Sequence, residues 1–227
     1  MTRSRTLKGS VVALAAVFAL SACSTHPGAA AVVGSDTISD SQLDDVALAL
    51  CSAQSSSQTG VPQELAGRAA REGALSVLLN GVLSKQFGES LGLEPDQAQV
   101  SAAIAANQST IDALPASRRA AFTDTLRQYA EGQLVVVAAG KAELTRQGTA
   151  QPTSDQEVAA GTRLRDAWAA KNVKVSVDPR YGRFSKGALV ASSGSLSVPV
   201  STTAKAGAQA QPAATWVSAL PATQKCT

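Results

Sequence analysis

The chain has 227 residues, 44% hydrophobic and 16% charged, with 20 basic and 17 acidic side chains and a single histidine. Arg3, Arg5 and Lys8 account for the whole basic surplus, so residues 23–227 carry 17 charges of each sign. That balance removes the electrostatic footprint of nucleic-acid binding. With only two Trp, two Tyr and four Phe, any core must be built mainly from Ala, Leu and Val.

Residues 1–10 are basic and lack an acid, and the apolar run "VVALAAVFAL" (Val11–Leu20) follows. Ten apolar residues suit the core of a signal peptide, whereas a membrane-spanning helix needs roughly 20. The next residues, "LSAC" (Leu20–Cys23), resemble the lipobox of bacterial lipoproteins. There the chain is cleaved before the cysteine, here between Ala22 and Cys23, and the thiol receives a diacylglycerol. The expectation is a signal peptide over 1–22, lipidation at Cys23, and a tether over 23–28. The protein would be exported and lipid-anchored to the outer face of the cell membrane. His26 lies in that tether, in "STHPGAA", where an exposed linker residue is the simplest reading. Its position leaves the rest of the chain without Ser-His-Asp, Cys-His or His-based metal chemistry.

"AAAVVGSDTIS" (Ala29–Ser39) reads as a strand, a turn at Gly34-Ser35 and a second short strand. "SQLD" (Ser41–Asp44) has the spacing of a helix N-terminal cap, and Leu43, Val46, Ala47, Leu50 and Cys51 then share one helical face. A polar stretch ends that helix, and Pro62 suits the first turn of the next. In the second helix Leu65, Ala69, Leu75, Leu79, Leu83 and Phe87 form the apolar stripe. Gly67, Gly73 and Gly81 on it are positions where a neighbour could approach closely. A further helix restarts at Pro95 with Val100, Ile104 and Ile111. A long helical pattern then runs from Ala116 to Gln147 through Phe122, Leu126, Tyr129, Leu134, Val137 and Leu144. "LVVVAAG" within it is β-branched, but both flanks are helical and it is read as buried helix.

"GTAQPTS" (Gly148–Ser154) breaks the pattern, and one more helix carries Val158, Gly161, Leu164 and Trp168 on one face. The period then changes to two: Val173, Val175 and Val177 alternate with polar residues as in a half-buried strand. Asp178-Pro179 ends it. From about Ser192 the chain is rich in Ser, Ala, Thr, Gly and Pro, and is read as mostly irregular apart from the apolar spot "TWVSAL".

Two cysteines remain after Cys23. Outside the cytoplasm, Cys51 and Cys226 read as a potential disulfide, worth roughly 5 kcal/mol in the chain-entropy model for so long a loop. The alternative is a buried free Cys51 and a loose Cys226.

A lone hairpin is marginal in water, so the economical arrangement pairs residues 30–33 with 173–177. Val32 and Val33 then face Val173, Val175 and Val177 in a strand clasp that brings the ends of the domain together. The expected fold is mainly α: a helical module over 29–190 with a small two- or three-stranded sheet from residues near 30–38 and 173–177. A tail over 191–227 follows.

That order of elements resembles the N-terminal chaperone module of SurA/PrsA-type folding factors. "AAVVGSDTISDSQLDD" is similar to the family's opening A-x-V-N-G-x-x-I-T/S stretch, with Gly34-Ser35 where Asn-Gly is usual. "LGLEPDQAQVSAAI" resembles its later "lgi-x-v-(S/T)-D-x-x-V" segment, and "VKVSVDPRYGRF" the close of short lipoproteins in the group. The likeness covers about residues 29–190. Full-length members insert a parvulin prolyl-isomerase domain between the long helix and the last one. Only "GTAQPTS" stands there, so the resemblance implies a chaperone module without the isomerase.

No G-x-S-x-G, P-loop, G-x-G-x-x-G, C-x-x-C or H-E-x-x-H pattern occurs. The acid pairs Asp44/Asp45 and Glu64/Glu72 read as caps and solvated helix faces, and Arg118, Arg119, Asp124 and Arg127 as an exposed face. No catalytic residue, metal or cofactor is expected. The resemblance implies a membrane-tethered holdase whose partners are unfolded or extended exported polypeptides. The alternative is an adaptor that docks one specific envelope protein through the bundle face or the tail.

Overall fold

Strand β1 (Ala29–Val33) is the centre of a three-stranded antiparallel sheet, flanked by β2 (Asp36–Ser39) and β3 (Val175–Val177). The computed structural model describes residues 27–56, 66–191, 198–209 and 212–226. The signal peptide, Cys23, His26, the Pro62 helix start, Glu64 and Leu65 lie outside the described residues.

The β1–β2 turn uses Gly34 at φ 60°, the left-handed backbone that glycine adopts without steric cost. Gln86 fastens this turn: its side-chain NH2 donates to the Val33 carbonyl (3.0 Å) and to Asp36 Oδ2 (2.6 Å). On the other side Val33 faces Val175, Val32 faces Ser176 and Ala31 faces Val177. The Gly34 N–H donates to the Lys174 carbonyl and the Asp178 N–H to the Ala30 carbonyl, both at 2.9 Å. Val173 is not in the strand. Its N–H still closes the preceding helix by donating to the Ala169 carbonyl, so its backbone is committed before the ladder begins, although its side chain packs on the core.

The helices follow as α1 (Asp40–Ser56), α2 (Gly67–Leu91), α3 (Gln97–Ala106), α4 (Gln108–Ala113), α5 (Ala116–Arg146) and α6 (Ser154–Asn172). Their starts follow cap chemistry. Ser39 Oγ accepts from the Gln42 N–H, so α1 begins ahead of the expected Ser41: the last strand residue serves as its cap. Asp96 accepts from the Ala98 and Gln99 N–H groups and opens α3. Thr153 and Gln156 form a reciprocal capping box at α6.

The main core lies between the sheet, α1 and α2. Leu43, Val46, Ala47 and Cys51 of α1 meet Leu75, Leu78, Leu79 and Leu83 of α2, over Ala30, Val33 and Ile38 from the sheet. The expected α1 face is the buried one, with Leu50 at its margin. In α2, Ala70 and Ala74 are buried while Ala69 is only half-buried.

Helices α5 and α6 depart from the expected pattern. The α5 residues buried are Thr125, Ala130, Gly132, Val135, Val136, Ala139 and Gly140, whereas Phe122, Leu126, Leu134, Val137 and Leu144 are half-buried and Tyr129 is exposed. On α6 the buried set is Ala160, Gly161, Arg165 and Ala169, and Val158 is exposed. A Cβ on Gly140 would overlap the Glu157 carbonyl, and one on Gly161 would overlap the Val136 carbonyl. Backbones touch here, so small residues occupy the contact line and large ones are displaced to its sides. Of the glycines expected to admit a neighbour, Gly81 lies against Gln128, Gly67 lies near the Gln224 carbonyl, and Gly73 meets nothing.

One charge is enclosed in this half. Arg165 is 5% exposed, donates through Nε and Nη2 to Asp166 Oδ1 (3.0 and 2.7 Å) and through Nη1 to Ser84 Oγ (3.3 Å). A buried guanidinium is tolerated only when paired in this way.

After β3, Asp178–Tyr181 forms a turn knitted to the start of α1. Arg180 Nη2 donates to Asp40 Oδ2 (3.0 Å) and Asp178 Oδ2 (2.9 Å), and the Tyr181 hydroxyl donates to Asp40 Oδ1 (3.0 Å). A second hairpin, β4 (Gly182–Ser185) and β5 (Ala188–Ala191), turns at Lys186-Gly187. Its Phe184 and Leu189 pack against the main core. Two short helices, α7 (Thr202–Gly207) and α8 (Ala214–Ser218), and a 3-10 turn (Ala222–Gln224) follow. The tail is thus not featureless. It returns to the body, where Lys225 bridges to Ala66 and Cys226 is joined to Cys51 by a disulfide. Among the described residues no helix is long and apolar enough to cross a membrane.

Candidate functional site: an apolar groove

The displacement of large side chains from the α5–α6 contact line has a geometric consequence at the end of α2. Phe87 (α2) and Trp168 (α6) come together there, ring centroids 5.7 Å apart and planes inclined by 52°. This tilted contact is favoured by the aromatic quadrupoles. Around this pair opens a groove of about 540 Å³, with Leu91 and Leu93 on one wall, Leu164 beside Trp168, and Ala138 and Ala142 of α5 on the other. Leu91 is 50% exposed, so part of its apolar surface faces the open groove.

Local chemistry explains why α2 ends at this place. Gly92 takes a left-handed conformation (φ 64°) and its N–H caps the carbonyls of Glu89 and Gly88. The Leu93 N–H also donates to the Gly88 carbonyl (3.0 Å). The turn therefore brings Leu93 back beside Leu91. Phe87 is 3% exposed and anchors the floor against Val135 and Ala139.

The polar members of the rim satisfy one another. Arg146 donates to Glu143 through Nε (3.0 Å) and Nη2 (2.7 Å), and Gln147 also donates to Glu143. The Arg146 hydrogen bond, then that of Gln147, holds the Glu143 carboxyl below its ordinary range. The groove is apolar inside and carries a compensated ion pair at its rim, a lining of the kind that suits an apolar ligand.

The residues singled out in the sequence fall elsewhere or only partly here. Cys51 and Cys226 are bonded to each other at the opposite end of α2. Val32, Val33, Val175 and Val177 lie in the sheet. Asp44 pairs with Arg71 at 2.7 Å, and Glu72 lies 3.7 Å from Arg68. Arg119 donates to the carbonyls of Leu114 and Asp112, and Arg127 pairs with Asp124. Phe87, Leu164 and Trp168 each stand on an apolar stripe in the sequence, but on different helices. Leu91 and Leu93 were not singled out. Their signal is the spacing of two leucines around the helix-ending Gly92, in "SLGLEP".

Comparison of the chain with protein families, with curated proteins and with solved structures finds no match in any of the three.

Proposed function

We propose that the protein is an exported, lipid-anchored, chaperone-like lipoprotein that binds unfolded segments of secreted or envelope proteins without catalysing a reaction. The observation that carries this reading is the groove over Phe87 and Trp168, with half-exposed Leu91 on its wall. Its lining suits a neutral, apolar stretch of polypeptide, and the internally paired Glu143 and Arg146 add no preference for a charged one. The signal-peptide and lipobox pattern at residues 1–23 supports export and anchoring at Cys23. Six residues of tether reach at most about 20 Å, which keeps the body beside the membrane where exported chains emerge. The family resemblance of residues 29–190 supports the same role and implies no prolyl isomerase activity.

The test uses a soluble form lacking Cys23, mixed at equimolar ratio with a test protein that aggregates when its disulfides are reduced. Suppression of light scattering is expected, with at least a tenfold weaker effect for Leu91→Asp. Equal suppression by the variant, or none by the parent protein, sinks the proposal. Crosslinking in cells distinguishes many clients from the single stoichiometric partner of an adaptor.

A further inference from the structure

The C-terminal segment is attached to the body in a different way from every other element. Its described parts, residues 198–209 and 212–226, form a small unit of their own. The Trp216 indole lies against Gly207 and its Nε1 donates to the Thr203 carbonyl (3.1 Å). Lys225 Nζ donates to the Ser218 carbonyl (2.6 Å). Helices of six and five residues cannot stand alone in water, so the unit depends on what fastens it to the body.

Those fastenings are local. Arg68 Nη2 donates to the carbonyls of Gly207 (3.0 Å) and Gln209 (3.1 Å), Lys225 makes the bridge to Ala66, and Cys226 is bonded to Cys51. Only Cys226 of this segment packs on the main core, and Val217 is its one buried apolar side chain among the described residues. The body is closed without it, because β3 pairs with β1 and so joins the two ends of residues 29–177 by hydrogen bonds, buried Val33 and half-buried Val175 and Val177.

A cleft of about 250 Å³ opens over the disulfide, lined by both cysteines together with Arg71, Lys225 and Asp44. Cys51 is 5% exposed and Cys226 half-buried, so attack is assigned to Cys226, the more exposed of the two residues. We propose that this disulfide is a thiol-operated latch, and that a dithiol partner opens it to release the C-terminal strap from α1 and α2. The inference is independent of the client groove, which lies at the other end of α2.

The chemistry balances as an exchange. A thiolate of the dithiol attacks Sγ of Cys226, forming a mixed disulfide and expelling the Cys51 thiolate into a cleft that Arg71 and Lys225 make electropositive, Arg71 partly offset by Asp44. The second thiol of the partner attacks the mixed disulfide and expels Cys226. The dithiol loses two electrons and becomes a disulfide, and its two protons pass to Cys51 and Cys226. Without the covalent bond the fastenings that remain among the described residues include the Arg68 hydrogen bonds and the Ala66–Lys225 bridge, and release of the strap would uncover buried Ala47, Ala66 and Ala70.

Hydrogen exchange of the full chain, oxidised and after dithiothreitol, tests the latch. Amides of residues 202–226 are expected to exchange at least tenfold faster on reduction, while those of β1 and α2 keep their rates. Cys226→Ser, which cannot form the bond, should match the reduced protein without added thiol. Three results overturn the proposal: a disulfide that resists dithiothreitol until the protein unfolds, a strap whose protection is unchanged in both the reduced protein and the variant, or acceleration of β1 and α2 to the same extent as the strap, which would make the bond a brace for the whole fold.

Discussion

Beside the sheet, α1 and α2 meet through Leu43, Val46, Leu75 and Leu79, each 1% exposed or less; between α5 and α6 the contact is Gly140 against the Glu157 backbone and Gly161 against that of Val136. The first interface is made of side chains that can shift and repack, so its losses are graded. The second is made of backbone, which has no rotamer to yield. The two also differ in what they leave outside. Aliphatic packing absorbs its large residues, whereas the close crossing turns Trp168 and Leu164 to its flank, where Phe87 and Leu91 complete a groove. The glycine contact and the candidate site are therefore two faces of one packing decision.

The largest effect is expected at that contact. Gly161→Val must separate α5 from α6 and should lower stability by about 3 kcal/mol or more, read as a fall in the denaturant midpoint. A loss below about 1 kcal/mol would mean that the helices are not held backbone to backbone. On the aliphatic side, Leu79→Ala should cost about 2–5 kcal/mol with the unfolding slope unchanged, as a cavity inside an intact core predicts. A clearly larger loss at Leu79 than at Gly161 would reverse the comparison.

Trp168 separates the groove from the core. Trp168→Ala should cost about 2 kcal/mol, below the range for a fully buried ring, and weaken binding of an apolar peptide at least tenfold by fluorescence anisotropy. Unchanged peptide affinity would detach the groove from function even if the fold is right.

The smallest effects concern pH. Burial pushes the Glu72 carboxyl up from its usual 4.5, against the pull of Arg68. A raised folded value means the native state binds the proton more tightly, so the ionised group destabilises the fold above that value and the penalty lifts as pH falls through it. Glu72→Gln should therefore raise the melting temperature slightly at pH 7, with the gain gone at pH 4. Asp178 runs the other way. Its hydrogen bond from Arg180 lowers its carboxyl below 3.8, so its stabilisation is present at pH 7 and lost as pH falls through the folded value. Asp178→Asn should cost under about 1 kcal/mol at pH 7, the scale of a surface ion pair, and progressively less as the pH falls through the folded value. Thermal melts of both variants across that range check the opposite signs.

Local chemistry in the sequence determined the mainly α composition, the hairpin with its glycine turn, the returning valine strand and the α1 face, because caps, turns and single-period stripes are written within a few neighbouring residues. The Lys186-Gly187 hairpin was equally local, a turn pair between "GRFS" and "ALVA", and went unread because only four residues flank each side. The buried faces of α5 and α6 could not be read in that way. Hydrophobic periodicity assumes that the largest apolar residues go inside: it places Gly161 on the buried face of α6, but it also selects Tyr129 and Val158, which are exposed, and passes over Gly132 and Gly140. Which stripe is buried there depends on how closely a second helix approaches, through contacts 17 and 25 residues apart in the chain, Gly140 to Glu157 and Val136 to Gly161. Only tertiary structure sets that distance. The groove has the same origin: Phe87, Leu91 and Trp168 are visible in the sequence as apolar residues, but the crossing of their helices decides that they gather around one groove, with Phe87 buried at its floor and Leu91 half-exposed on its wall.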